Sequence, residues 1–376
     1  MQPSPLIPIS PLLIKNSRWM TNLKLEGMKL SSEDAVTCQL VKMKKVEFRN
    51  CHNFAFMKSI LTNSASSLTT LHLISVEILP IETDLTHLAH LTLERCTGLE
   101  GTQGLLTKCC NTLKSLSLIW CQYSIQQILI LPVLEFLEVD GMFGASFNLD
   151  LIIQDSTRLK TLKLKNIVHN DEEHEFDFQN LNSIDYLNVQ YCEESEWITS
   201  LISAASMKLS KLKLVNSTCF TSELEDLPRV NFLKISNNNQ GVQWTDLIEL
   251  VNTCPHVRAL DVTDLMIADD EILYPQLFPN LSDLRKLTFR SSHYENLLHE
   301  ILQACENIEA VYVPSKLAKS IKGRIFIQYI LFYIYSNRLK FCCLFGGNQF
   351  EVRFLGGRGG GISLQPRLGI TLLIEY

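Results

Sequence analysis

The sequence predicts an α/β solenoid: one short strand per repeat, the strands side by side in a parallel sheet, with helices or tight turns returning the chain. Three observations predict it. An apolar pattern, LxxLxL with aliphatic or aromatic substitutes, recurs along most of the chain. The spacing between copies stays in a narrow band. The segments between copies either show helical periodicity or contain Leu-Pro.

Taking the middle apolar residue of each copy as a marker, the array reads as thirteen units: Leu23, Val46, Leu71, Leu91, Leu116, Leu137, Leu162, Leu187, Leu212, Leu233, Leu260, Leu287 and Val311. The spacings are 23, 25, 20, 25, 21, 25, 25, 25, 21, 27, 27 and 24 residues. Leucine-rich repeats run to about 20–29 residues per unit. In LxL the two apolar side chains stand two residues apart, so both point to one face of a strand. Each buried one contributes about 1.5–3 kcal/mol, which outweighs chain ordering only when units stack. The expected shape is a horseshoe with the parallel sheet on the concave side and helices or short turns on the convex side.

The connectors divide by length. Trp197, Ile198, Leu201, Ile202 and Ala205 in "EWITSLISAAS" follow a helical period, as do Leu297, Leu298, Ile301 and Leu302 in "ENLLHEILQAC". "WTDLIELVNTC" does so through Leu247, Ile248 and Val251, with Thr245 expected as its N-cap. The three shortest spacings each contain Leu-Pro, at 79–80, 131–132 and 227–228. Proline removes a helical donor and extends the residue before it, which predicts turns or extended chain there.

The cysteines keep fixed addresses. Cys51, Cys96, Cys121 and Cys192 each stand five residues after a marker, where a side chain is expected to turn in beneath the next coil. Cys110, Cys254 and Cys305 stand three residues before the first apolar position of a strand. All seven are expected to be buried packing thiols; no CxxC pair offers a metal site, and no metal or other cofactor is expected.

Composition agrees with a globular protein: 46% hydrophobic and 20% charged residues, with a net charge of −6 that gives no general attraction to nucleic acid or anionic membrane. "MQPSPLIPISPLLIKN" lacks the basic start of a secretory signal, and its four prolines interrupt any helical apolar core. That predicts a cytoplasmic protein, with the nucleus as the alternative compartment.

The segments "CPHVRALDVTDL", "CNTLKSLSLIWC" and "LAHLTLERC" carry a family resemblance. They resemble the cysteine-containing leucine-rich repeats of F-box/LRR proteins and, more broadly, the ribonuclease-inhibitor-like superfamily, over about residues 17–315. The resemblance implies the substrate-recognition subunit of a cullin-RING (F-box type) ubiquitin ligase, whose F-box docks the ligase's small adaptor. Nothing ahead of "SRWMTNLKLEGM" has the leucine-proline start or tryptophan end of an F-box. Two expectations stand: an F-box lost from the 5′ end of the gene model, or a repeat module acting as a scaffold or inhibitor without a ligase.

Three segments are expected: a Pro-rich start (1–16), the repeats (17–316) and a non-repeat tail (317–376). The tail's apolar run, eleven residues from Ile325 to Tyr335, is shorter than the ~20 a membrane helix needs. The tail reads as a hydrophobic cap or as a terminal exon drawn in error. "GGRGGG" (356–361) lacks the Gly-Lys-Ser/Thr of a phosphate loop. The acidic connector "NDEEHEFDFQN" (170–180) reads as a solvated loop, and His87 and His90 as surface histidines. No nucleophile–base pair or cofactor motif points to an enzyme.

The informative columns are those one before, one after and three after each marker, which point opposite to the leucines. They place Phe136, Glu138 and Asp140 in the sixth repeat, Lys163 and Lys165 in the seventh, and Tyr186, Asn188 and Gln190 in the eighth. Lys211 and Lys213 follow in the ninth, Phe232 and Lys234 in the tenth. Aromatics among lysines suit an acidic or phosphorylated protein segment. The candidate partner-binding residues are therefore Phe136, Lys163, Lys165, Tyr186, Lys211, Lys213, Phe232 and Lys234. The partner expected is a protein, with the ligase adaptor added only if an F-box exists upstream.

Overall fold

In the computed structural model every marker stands second in a short strand. The strands are β1 (Asn22–Glu26), β2 (Lys45–Arg49), β3 (Thr70–Ile74), β4 (His90–Glu94), β5 (Ser115–Ile119), β6 (Phe136–Asp140), β7 (Thr161–Lys165), β8 (Tyr186–Gln190), β9 (Lys211–Val215), β10 (Phe232–Ser236), β11 (Ala259–Thr263), β12 (Lys286–Phe289) and β13 (Ala310–Tyr312). The structure describes residues 19–27, 42–52, 54–121, 130–141, 149–153, 156–167, 178, 181–192, 195–217, 223–236, 244–263, 281–290 and 295–313, with three short strands in the tail.

Residues 1–205 and 206–376 form two compact units. In the first, β1 to β8 pair in parallel and in chain order, and each marker lies directly opposite the next, from Leu23↔Val46 to Leu162↔Leu187. In the second, β9 to β13 do the same, from Leu212↔Leu233 to Leu287↔Val311. Variable spacing is thus absorbed entirely by the connectors, and register never slips. Each unit is an α/β leucine-rich-repeat solenoid.

The markers and the apolar residues two positions on are buried, while most of the alternating residues are half-buried or exposed; Ile74, Ser117, Asn188, Ser236 and Thr263 are buried. The core lies between the leucine face of the sheet and the returning connectors. Among the described residues six helices do the returning: α1 (Phe54–Ser64), α2 (Leu99–Cys109), α3 (Asp150–Ile153), α4 (Ser195–Ala205), α5 (Trp244–Asn252) and α6 (Glu295–Gln303). In α1, Phe56, Met57, Ile60 and Leu61 form the apolar stripe and are fully buried. The three expected helices are α4, α5 and α6. Helix α5 starts at Trp244, so Thr245 lies in its first turn and is not the N-cap expected of it. None of the three Leu-Pro connectors holds an α-helix among its described residues.

Two ladders frame the strands. At the entry, one carbonyl accepts two amides of the next repeat: Lys114 O, for example, accepts from Glu135 N at 2.8 Å and Phe136 N at 3.0 Å. At the exit, the residue after the strand donates its amide to the last carbonyl of the next strand, as in Trp120 N to Asp140 O at 2.7 Å and Asn166 N to Gln190 O at 2.9 Å.

The cysteine columns are buried as expected, with one correction. The thiols five residues after the marker also reach back to the preceding coil: Cys51 Sγ donates to Leu25 O (3.6 Å), Cys96 to Leu73 O (3.2 Å) and Cys121 to Leu93 O (3.3 Å). In the second column Cys254 and Cys305 are buried, but Cys110 is only half-buried and its neighbour Cys109 takes the inward place. The reason is the turn into the strand. Leu113 N closes it on Cys109, four residues back, whereas Val257 N closes on Cys254, three back. Burial pushes the Cys109, Cys192, Cys254 and Cys305 thiols up to about 12. Cys96 is pushed up by its hydrogen bond with Cys121 and then by burial. Protonated, buried thiols are packing groups.

In the tail, β14 (Phe341–Gly346) and β15 (Gln349–Phe354) form an antiparallel hairpin. β13 pairs with β15 at Ala310↔Arg353, and with β16 (Leu372–Leu373) in parallel. The expected boundaries near residues 16 and 316 lie outside the described residues, as does "GGRGGG". So does the acidic connector apart from Phe178, which is buried.

Candidate functional site

Because leucines take one face of each strand, the residues between them form an open face. In the first unit its charges balance. Lys24, Lys45, Arg49, Lys163 and Lys165 meet Glu26, Glu47, Glu94, Glu138 and Asp140, five cations against five anions. The exact register makes them neighbours. Lys24 Nζ lies 2.9 Å from Glu47, and this bond to Lys24 holds the Glu47 carboxyl below its ordinary range.

The four candidate residues of the first unit do come together. Phe136 and Tyr186 stand in one column, on either side of Thr161. Lys163 Nζ sits 4.9 Å from the centre of the Phe136 ring and 4.0 Å from Glu138 Oε2. Lys165 Nζ lies 3.0 Å from Glu138 Oε1 and 3.9 Å from Asp140 Oδ2. These lysines are half-buried and already paired. An incoming carboxylate would have to replace Glu138 beside Asp140, exchanging one ion pair for another at little net gain. Burial holds the Tyr186 phenol above its ordinary range, so it stays un-ionised.

In the second unit Lys211, Lys213, Lys234, Lys286 and Arg290 stand in the open-face columns with one acid, Asp261, among the described residues. Lys211 lies opposite Phe232, and Lys213 opposite Lys234. Lys234 Nζ bonds Asp261 at 3.0 Å, and Lys286 Nζ sits 4.8 Å from the centre of the Tyr312 ring. Lys286, Arg290 and Tyr312 belong with this group although residue-type reasoning stopped at the tenth repeat. The columns would have found them two and three strands further on.

Sequence reasoning also missed the column just past the strands. Four residues after the marker, Asn50, Ser75, Arg95, Trp120, Asn166, Tyr191 and Asn216 all have φ between 47° and 53°, and Gly27 and Gly141 have 65° and 62°. The exit ladder imposes this left-handed turn in each of the first nine repeats. Glycine and asparagine take it readily, but for other residues it costs about 1–2 kcal/mol. Ser75, Arg95, Trp120 and Tyr191 bear that cost. Gly141 is needed for a second reason: a Cβ there would lie 2.6 Å from Trp120 Cδ2, so the indole rests on the bare glycine backbone.

On the remaining histidines, His90 is exposed at the start of β4 and His87 bonds Thr86 at 3.1 Å. No group of three or more metal-ligating side chains occurs among the described residues, and no described helix is long and apolar enough to cross a membrane.

No family model and no curated protein matches this chain. Among solved structures, it is similar to an internalin (inlF) from Listeria monocytogenes str. 4b F2365, at 17% identity and a TM-score of 0.50. The match covers 73% of this chain and 82% of the internalin. At that identity the likeness establishes the leucine-rich-repeat fold, in agreement with the strand register.

Proposed function

We propose that this protein is a recognition module that holds an acidic segment of a partner protein against the open face of its sheet. The observation that carries this reading is the second unit's face, where Lys211, Lys234 and Lys286 stand among Phe232 and Tyr312, with Asp261 beside Lys234, among the described residues. Lysines would bond carboxylate or phosphate oxygens while the aromatic rings supply apolar anchors. On a chain of net charge −6, such a face steers an acidic ligand to one place.

The resemblance to F-box/LRR proteins supports a more specific role, target recognition for a cullin-RING ubiquitin ligase. The test begins with capture of partners from cell extract on the full chain. A captured complex containing the cullin adaptor supports the ligase role; a complex without it makes the chain a scaffold or inhibitor. Binding of the captured partner's acidic segment is then measured with Lys211→Glu/Lys286→Glu. Affinity should fall at least about tenfold and lose much of its salt dependence. Unchanged affinity and salt dependence would overturn the assignment of this face.

A further inference from the structure

In the second unit the column at the strand entries sets two charges at a fixed interval. From β9 to β13 the residues just before the markers lie opposite one another in the order Lys211, Phe232, Ala259, Lys286 and Ala310. Lys211 and Lys286 are exposed, and neither makes an ion pair among the described residues. Phe232 and Ala259, between them, are half-buried. Lys286 Nζ rests over the Tyr312 ring, 4.8 Å from its centre, which holds one of the two ammonium groups in place. In the turn entering β12, Asp283 is already bonded by His256 at 2.9 Å, with the charges of Arg258 and Arg285 close by. Three inter-strand steps of about 4.8 Å set the two lysines about 14 Å apart.

That interval and the floor between the lysines describe a ligand. An extended chain lying along this column rises about 3.3–3.6 Å per residue, so about four residues cover the same distance. Side chains two apart share one face of an extended chain, so residues i, i+2 and i+4 all point at the sheet. Acids at i and i+4 then reach Lys211 and Lys286, and residue i+2 comes down between Phe232 and Ala259. The Phe232 ring gives that residue an apolar wall, and the methyl of Ala259 leaves room for it. The neighbouring column argues against a helical ligand. Lys234 and Asp261, two residues further along β10 and β11, bond each other at 3.0 Å and are half-buried. A helix about 10–12 Å across would cover this pair as well and strip it of water with nothing in return. An extended chain stays within the one column.

We propose that the second unit recognises a spaced motif: an extended segment with two acidic side chains four residues apart and an apolar side chain midway. This rests on the acidic-segment reading and adds the pattern that selects the partner. The probes are synthetic Gly/Ser-based peptides of equal length and net charge, with two glutamates two, four or eight residues apart. The four-spaced peptide is made with leucine or with serine midway. Binding to the full chain is measured by calorimetry at low salt. The four-spaced leucine peptide should bind at least about fivefold more tightly than either other spacing, and than its serine counterpart. Both advantages should vanish in Lys211→Glu/Lys286→Glu, and the leucine advantage alone in Ala259→Leu, which fills the room midway. The comparison between peptides needs no variant, so it stands whatever a substitution does to folding. Equal affinity at all spacings, or a tighter two- or eight-spaced peptide, would overturn the motif; if that binding is still lost in Lys211→Glu/Lys286→Glu, the acidic face itself stands. No binding by any peptide, or affinities unmoved by the lysine substitutions, would overturn both.

Discussion

The open faces of the two units are built on the same frame and differ in charge. Both rest on leucines in exact register, and both set aromatic side chains in the column before the marker. In the first unit five cations meet five anions, several within 4 Å; in the second, the same columns hold five cations and one acid, Asp261, among the described residues. The lesson is that a lysine's role on a sheet is set by the strand beside it. Lys163 and Lys165 have Glu138 and Asp140 one strand away, and that neighbour removes most of their attraction for an external acid.

The largest effects should be those that leave the comparison unmoved. Leu137 in the first unit and Leu233 in the second are both fully buried markers. Leu137→Ala and Leu233→Ala should each lower stability by about 2–5 kcal/mol, measured by urea unfolding. Costs that differ by more than that range would show that the frames beneath the faces are not equivalent.

A smaller effect sharpens the contrast. Glu138→Gln with Asp140→Asn turns the first unit's face from balanced to a net of two positive charges, keeping side-chain size. Lys163 and Lys165 would then be open to an external carboxylate. The affinity of an acidic peptide for this face should rise about tenfold at low salt, with the gain shrinking as salt is added. The measurement is calorimetry in the Lys211→Glu/Lys286→Glu background, where the second face is silenced. No gain would mean that the neighbouring acids are not what closes the first face.

How much of this was legible in the sequence follows from what each feature depends on. The strands were legible to the residue because LxL has the period of a strand and recurs in thirteen copies. Helices α4, α5 and α6 were legible from unbroken helical periodicity. Helix α2 was harder: Gly101 and Gly104 lower helix propensity. Gly101 is required by packing, since a Cβ would lie 2.1 Å from Ile78 O. The position of Cys109 depends on which amide closes a turn, which no column reveals. The neutralisation of Lys163 and Lys165 was legible in principle, because marker-to-marker register places Glu138 beside them; residue type alone hides it. The left-handed column had its own signal in Gly27, Asn50, Gly141, Asn166 and Asn216. It lies one residue beyond the strand, where reading by alternation stops.

The smallest expected effect concerns pH and the neutrality of the first face. His72 stands on that face in β3, between Glu47 of β2 and Thr92 of β4, with Lys45 and His90 nearby. Burial first, and the charge of Lys45 second, hold its pKa below the ordinary 6.5, and the opposing attraction of Glu47 does not restore it. The unfolded chain therefore binds this proton more readily than the folded one. The sign follows: His72 costs nothing above pH 6.5, and stability is lost as the pH falls from 6.5 towards the depressed folded value. Protonation would also add a positive charge to a balanced face, making it more like the second unit's. His72→Asn removes the titrating group while keeping a polar side chain. Urea unfolding between pH 7.5 and 5.5 should then show a shallower decline for the variant than for the wild type. Parallel declines would place the proton uptake elsewhere and leave the first face neutral throughout that range.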